Sequence, residues 1–240
     1  MGLYRIAGIV MEYEPHWERL RRQMEPYRAS DTQIPEVTLN LSKEDLEEKR
    51  KTDPHLTAEQ FEYIWVGCLF YSKLIELQKG FPLHASAVAL NQQAYLFSAP
   101  SGTGKSTHTQ QWINEYGSQG AFIINDDKPA LVYDQGVWQV YGTPFSGKTD
   151  LNRNVKVPLK AIAVLERGRE NEISRIPVAQ AVYSILNQSI RPSNPDDMEK
   201  LMWMLDSILR EIPVYRIKCN ISGEAARVAY AGMSGGKNEI

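Results

Sequence analysis

The sequence predicts an α/β fold built on a mixed sheet, and three observations carry that expectation. Short apolar runs such as QAYLFS (93–98), AFIIN (121–125) and VPLKAIAVLE (157–166) have the length and composition of strands. Longer segments with helical spacing open on capping signatures, Ser42 with Asp45 and Thr57 with Gln60. Strand-like and helix-like segments alternate along the chain, as they do in an α/β protein.

Taken in order, residues 3–12 read as a strand, and residues 15–27 as a short helix with Trp17, Leu20 and Met24 on one side. Residues 38–41 form another strand. The charged KEDLEEKRK after Ser42 is a solvated helix face. The helix opened by Thr57 runs to residue 76, with Phe61, Ile64, Trp65, Cys68, Leu69 and Leu74 near helical spacing as its core side. After Gly80 the texture changes: residues 83–90 and 93–98 are strands around a polar turn at Asn91. A helix follows over 104–116, closed by Gly117, and the strand 121–125 ends at Asp126-Asp127. Strands at 130–134 and 137–141 form a hairpin around Gln135-Gly136, and 157–166 is a buried strand. Helices over 177–190 and 195–210 each begin on proline, and Asn194 caps the second. Residues 214–219 make the last strand, and Ser222 caps a closing helix. The expected organisation is a small N-terminal α/β subdomain (1–80), a core (81–233) and a loose tail (234–240).

Bulk properties exclude several function classes. Lys and Arg number 27 against 29 Asp and Glu, a net charge of −2 over 240 residues. That balance gives no electrostatic reason to expect nucleic acid or an anionic membrane as partner. The N-terminal MGLYRIAGIVMEYE lacks the make-up of a secretory signal, and the apolar stretch 63–71 is too short to span a bilayer. Cys68 and Cys219 have no metal-ligand spacing and read as buried thiols of a reducing cytosol, so a cytoplasmic protein is expected.

The chemistry-bearing stretch is YLFSAPSGTGKSTHTQQW (95–112), in which a strand runs through a Gly-rich loop into a helix. Glycines let successive N–H groups turn inward at phosphate oxygens, and the helix N-terminus adds partial positive charge. Ser101, Gly102, Thr103, Gly104, Lys105, Ser106 and Thr107 are the expected nucleotide-binding residues, with Lys105 on the β/γ phosphates and Ser106 on Mg²⁺. Ala99 takes the place of the first glycine of the usual pattern, and Pro100 stiffens the entry by fixing its own φ and holding Ala99 extended. Asp126-Asp127, at the end of the next strand, supplies one carboxylate for the metal and one for the incoming nucleophile. The polar loop GTPFSGKTDLNRN (142–154) reads either as a solvated hairpin loop or as a mobile cover, on which Lys148 and Arg153 are candidate substrate contacts. Glu166-Arg167 reads as a surface ion pair.

The order of these motifs, LHASAV, SGTGKST and an apolar strand ending in Asp-Asp, resembles HPr kinase/phosphorylase and the related phosphoenolpyruvate carboxykinases over about residues 80–170. The resemblance implies a P-loop kinase-like core with a mixed sheet. It also implies Asp126 as general base and Asp127 as the metal-side acid, two roles that could be exchanged, and His84 near phosphate and metal. The glutamate that the family carries before an Arg-Gly has Gln139 or Tyr141 in its neighbourhood here, and the family's Pro-Val-Arg-Pro-Gly segment is absent. The implied function is an ATP- and Mg²⁺-dependent phosphotransferase acting on a hydroxyl, foremost a serine of a peptide or protein. A sugar or polyol kinase and a nucleotide-dependent regulatory module are the alternatives. Self-association, ATP against GTP or pyrophosphate, and reverse phosphorolysis stay open.

Overall fold

Local sequence sets the ends of most elements. In the computed structural model, which describes residues 1–235, Ser42 and Thr57 close reciprocal capping boxes at the starts of α2 (Lys43–Arg50) and α3 (Ala58–Glu76). Asn194 and Ser222 cap α6 (Pro195–Glu211) and α7 (Gly223–Met233). Residues 236–240 of the expected tail lie outside the described residues.

The N-terminal segment differs from its expected form. In place of one strand over 3–12 there is a hairpin, β1 (Gly2–Ile6) and β2 (Ile9–Tyr13), reversing at Ala7-Gly8. Both turn residues have positive φ, 49° and 81°, the left-handed pair that matches strand twist. The uninterrupted apolar pattern hid this turn. β3 (Val37–Thr38) completes a three-stranded sheet, and α1 (Glu18–Met24) precedes it in sequence.

The larger sheet has nine strands and is mixed. It holds β4 (Gly80–Pro82), β5 (Ala85–Leu90), β6 (Gln93–Ser98), β7 (Phe122–Asn125), β8 (Ala130–Asp134), β9 (Val137–Tyr141), β10 (Lys156–Arg167), β11 (Glu172–Arg175) and β12 (Val214–Cys219). The twelve-residue β10 organises it. Its first residues pair antiparallel with β9, and its remainder lies parallel to both β6 and β12, with an irregularity at 159–161. One strand thus serves two directions of pairing, and the sheet curls. β4 and β11 were not expected, being short and without strand composition. α5 (Val178–Leu186) is shorter than expected, with Pro177 as its cap rather than its first residue.

Helix α3 corrects part of the expected core side. Of the expected core residues Phe61 and Leu74 are buried and Trp65 and Leu69 half-buried, but Ile64 is 47% exposed and Cys68 lies at the surface, while Glu62, Tyr63, Val66, Gly67, Phe70, Tyr71 and Ile75 are buried as well. A charged residue and a glycine occupy the buried stripe, so apolar spacing alone placed the core side partly off its true centre. Gly67 is needed there because a Cβ would come within 2.9 Å of the Phe145 ring. Phe145 joins Ala130 and Val132 to the cluster that includes Tyr63, Val66, Phe70 and the β1–β2 residues. No described helix is long and apolar enough to cross a membrane.

Candidate functional site

β6 and α4 (Lys105–Tyr116) are joined by a six-residue loop, 99–104, whose conformation rests on two glycines. Gly102 and Gly104 have φ of 78° and 119°, and a Cβ on either would meet nothing within 4 Å. Backbone conformation, not space, therefore demands glycine here. Ala99 is 1% exposed and packs in the cluster that contains Phe97 and Trp112. A methyl group in place of the usual first glycine is thus absorbed by the core.

The start of α4 presents free donors. Among the described residues, the N–H groups of Gly104, Lys105, Ser106 and Thr107 have no protein acceptor, and the first backbone bond of the helix is His108 N–H to Gly104 O, 2.9 Å. Lys105 is 7% exposed and folds back so that Nζ donates to Ala99 O at 2.8 Å. Burial lowers its pKa, and the negative charges of Asp127 and Asp126 pull it back up. Arg167, at the end of β10, donates to the carbonyls of Thr103 (3.1 Å) and Gly102 (2.5 Å). It therefore braces the loop instead of pairing with Glu166, whose partner is Arg216 at 3.0 Å.

α4 is anchored by His108, which is 4% exposed and accepts a hydrogen bond from Trp112 Nε1 at 3.2 Å. Burial lowers its pKa from 6.5 to about 4. The unfolded chain takes up a proton below pH 6.5 that the folded chain refuses until about pH 4. Stability should hold above pH 6.5 and decline by about 3 kcal/mol by pH 4 through this group. Denaturant unfolding of His108→Gln across that range, which keeps an acceptor for Trp112 but does not titrate, should show a shallower decline.

Opposite the loop lies the turn 125–128. Asn125, fully buried, accepts from Asp127 N–H (2.9 Å) and Lys128 N–H (2.8 Å), and donates to Thr143 O at 2.9 Å. Tyr71 and Thr143 both donate to Lys128 O, at 2.5 and 3.0 Å. This buried network fixes the paired aspartates. Asp126 is 5% exposed, and its Oδ1 accepts from Ser86 Oγ at 2.5 Å. Asp127 lies 3.3 Å from His84 Nε2 and 2.6 Å from Lys128 Nζ. Burial alone would raise the Asp127 carboxyl, but the hydrogen bond from His84 and the charge of Lys128 hold it down at about 2. His84 is itself set by Gln188, whose Oε1 is 2.9 Å from Nδ1.

The loop 142–154 is neither a free hairpin nor a mobile cover. Asn152 bonds Gln23, Ser146 and Tyr27, and Asn154 donates to Pro26 O. Arg19 donates to Gly147 O and to Asp150 (2.9 Å) while its guanidinium lies 4.1 Å from the Tyr63 ring centroid. Gly147 has φ 73°, and a Cβ there would sit 2.8 Å from Asp127 Cβ. The loop is pinned, and glycine lets it press on Asp127.

These parts enclose one cleft of about 640 Å³. Ser101, Gly102, Gly104, Lys105, Ser106, Thr107, His84, Asp126, Asp127 and Lys148 all line it. Thr103 turns back to Pro100 O, and Arg153 lies elsewhere, its guanidinium 4.7 Å from the Phe122 ring centroid. Arg153 is thereby removed from the candidate substrate contacts, because its segment runs along β7 with Arg153 N–H bonded to Ile124 O. Sequence reading missed Arg19, Tyr63, Ser86, Lys128 and Arg167. Ser86, two residues after His84 in a strand, and Lys128, beside the aspartate pair, had a local signal; Arg19 and Tyr63 had none.

A family model for "SynChlorMet cassette protein ScmC" matches residues 55–228. The chain belongs to the ScmC family. The ScmC match takes in the loop, His84 and the aspartate pair, and leaves out Arg19. No curated protein matches the sequence. Among solved structures the chain is similar to the HPr(Ser) kinase/phosphatase from Coxiella burnetii, at 11% identity over 64% of this chain and 93% of that chain, with a TM-score of 0.38. That relationship is distant and concerns the fold.

Proposed function

We propose that this cleft transfers the γ-phosphoryl group of ATP to a hydroxyl, with Mg²⁺, and that the hydroxyl belongs to a serine of a peptide or protein. The observation that carries the reading is one cleft in which free N–H donors of a helix start and a buried lysine face two adjacent carboxylates. Donors and lysine suit phosphate oxygens, and the carboxylates suit a proton and a cation.

The donor set fits Mg²⁺. Asp126, Asp127 and Ser106 line the cleft and offer only oxygen. Mg²⁺ commonly takes one or two carboxylates and completes its shell with phosphates and water. Asp127 and Ser106 are its assigned holders, and the ion would neutralise charge between the β and γ phosphates.

The two aspartates divide by their surroundings. Asp127, held near 2 by His84 and Lys128, is a poor proton acceptor and a lasting anion. Asp126 has only a neutral hydroxyl, Ser86, on its Oδ1, and is the assigned base that takes the acceptor's proton. Lys105 leaves the Ala99 carbonyl for the phosphates, and Arg167 keeps the loop shape meanwhile. Titration calorimetry tests the first step: ATP should bind several-fold tighter with Mg²⁺ than with EDTA. Label from γ-³²P-ATP should then move to a serine peptide. Absence of nucleotide binding under both conditions would overturn the reading.

A further inference from the structure

The cleft has a second wall, away from the phosphate loop, made by α3 and the residues just before it. In-line transfer places the attacking oxygen opposite the leaving one, so an acceptor comes in from the side facing the loop. On this wall several polar groups have partners within the protein. Gln60 Oε1 accepts from Thr57 N–H, Tyr63 OH accepts from Gly147 N–H, and Thr149 Oγ1 donates to Ser146 O. Arg19 is taken by Gly147 and Asp150. The apolar surface that this wall offers a ligand is aliphatic: Leu56, half-buried, and Ile64, 47% exposed. A hydroxyl laid on Leu56 or Ile64 would lose water without gaining a partner, which is costly, whereas an aliphatic side chain gains by burial there. A second depression of about 230 Å³ shares His84 and Lys128 with the cleft.

We propose that the acceptor is a peptide segment carrying an aliphatic side chain beside the phosphorylated serine, and that Leu56 and Ile64 receive that side chain. The proposal rests on the phosphotransferase reading. An aliphatic side chain fitted to such a surface discriminates by about 10- to 200-fold per group lost.

Full-length protein would be given two serine peptides, one with leucines flanking the serine and one with glycines. Anisotropy without nucleotide measures binding, and γ-³²P-ATP measures transfer. The leucine peptide should be favoured at least about tenfold in both. In the double variant Leu56→Ala/Ile64→Ala that ratio should fall toward one. General damage to the fold would depress both peptides together and leave the ratio intact. An equal preference in the wild type, an unchanged ratio in the variant, or higher kcat/KM for glycerol, ribitol or a long-chain alcohol would overturn the proposal. Discrimination in binding with no movement of label would instead overturn the transfer reading and leave the peptide site standing.

Discussion

Asp126→Asn should lower phosphoryl transfer by about 10²- to 10⁴-fold, the range expected when a positioned base is removed, while ATP affinity changes little. The substitution keeps the shape of the side chain and an oxygen to accept from Ser86 Oγ, 2.5 Å away. Its carboxylate is 5% exposed and packed beside the buried Ser86–Thr109 hydroxyl pair, so no water readily takes over its role. Calorimetry for ATP binding and a label-transfer assay separate the two effects. Asp127→Asn is the comparison: it should raise the Mg²⁺ concentration needed for half-maximal rate. If Asp127→Asn instead gives the greater loss at saturating Mg²⁺, the roles of the two aspartates are exchanged.

Lys105→Ala should weaken ATP binding by about 10- to 150-fold, corresponding to one charge-assisted hydrogen bond of about 1.5–3 kcal/mol. The lysine is already desolvated in the protein, and it faces Asp126 and Asp127 across the same cleft. Removing it leaves two carboxylates with less counter-charge, so triphosphate meets repulsion as well as a lost donor. Calorimetry at fixed ionic strength reads the change, and ADP should lose less than ATP because fewer phosphate oxygens reach the side chain. Equal affinity of wild type and variant for ATP would show that the loop does not hold a triphosphate through Lys105.

The legible parts of this protein are those in which neighbours in sequence are also neighbours in space. The glycines of the 99–104 loop, the capping boxes at Ser42 and Thr57, and the hairpin at Gln135-Gly136 follow from backbone rules that act over a few residues. Asp126-Asp127 could be read the same way, as acids at the end of an apolar run. Even the replacement of glycine by Ala99 raised a question that the core answers, because its methyl is buried against apolar neighbours.

The rest depended on long-range packing. Arg19 and Gly147 are 128 residues apart, and nothing in either local sequence announces their bond. The buried side of α3 misled for a related reason: Glu62 is buried because it accepts from Tyr13 OH and from His16 N–H, both far away in sequence. Arg153, a plausible phosphate ligand by composition, turned to Phe122 because its segment pairs with β7. The sequence by itself determined most of the elements, the shape of the 99–104 loop and the presence of paired acids, since these depend on local dihedral preferences and periodicity. Only the tertiary structure decided that the loop, His84, the aspartates, Leu56 and Ile64 share one cleft, since that depends on β10 pairing with three strands and on buried hydrogen bonds that no short window of sequence contains.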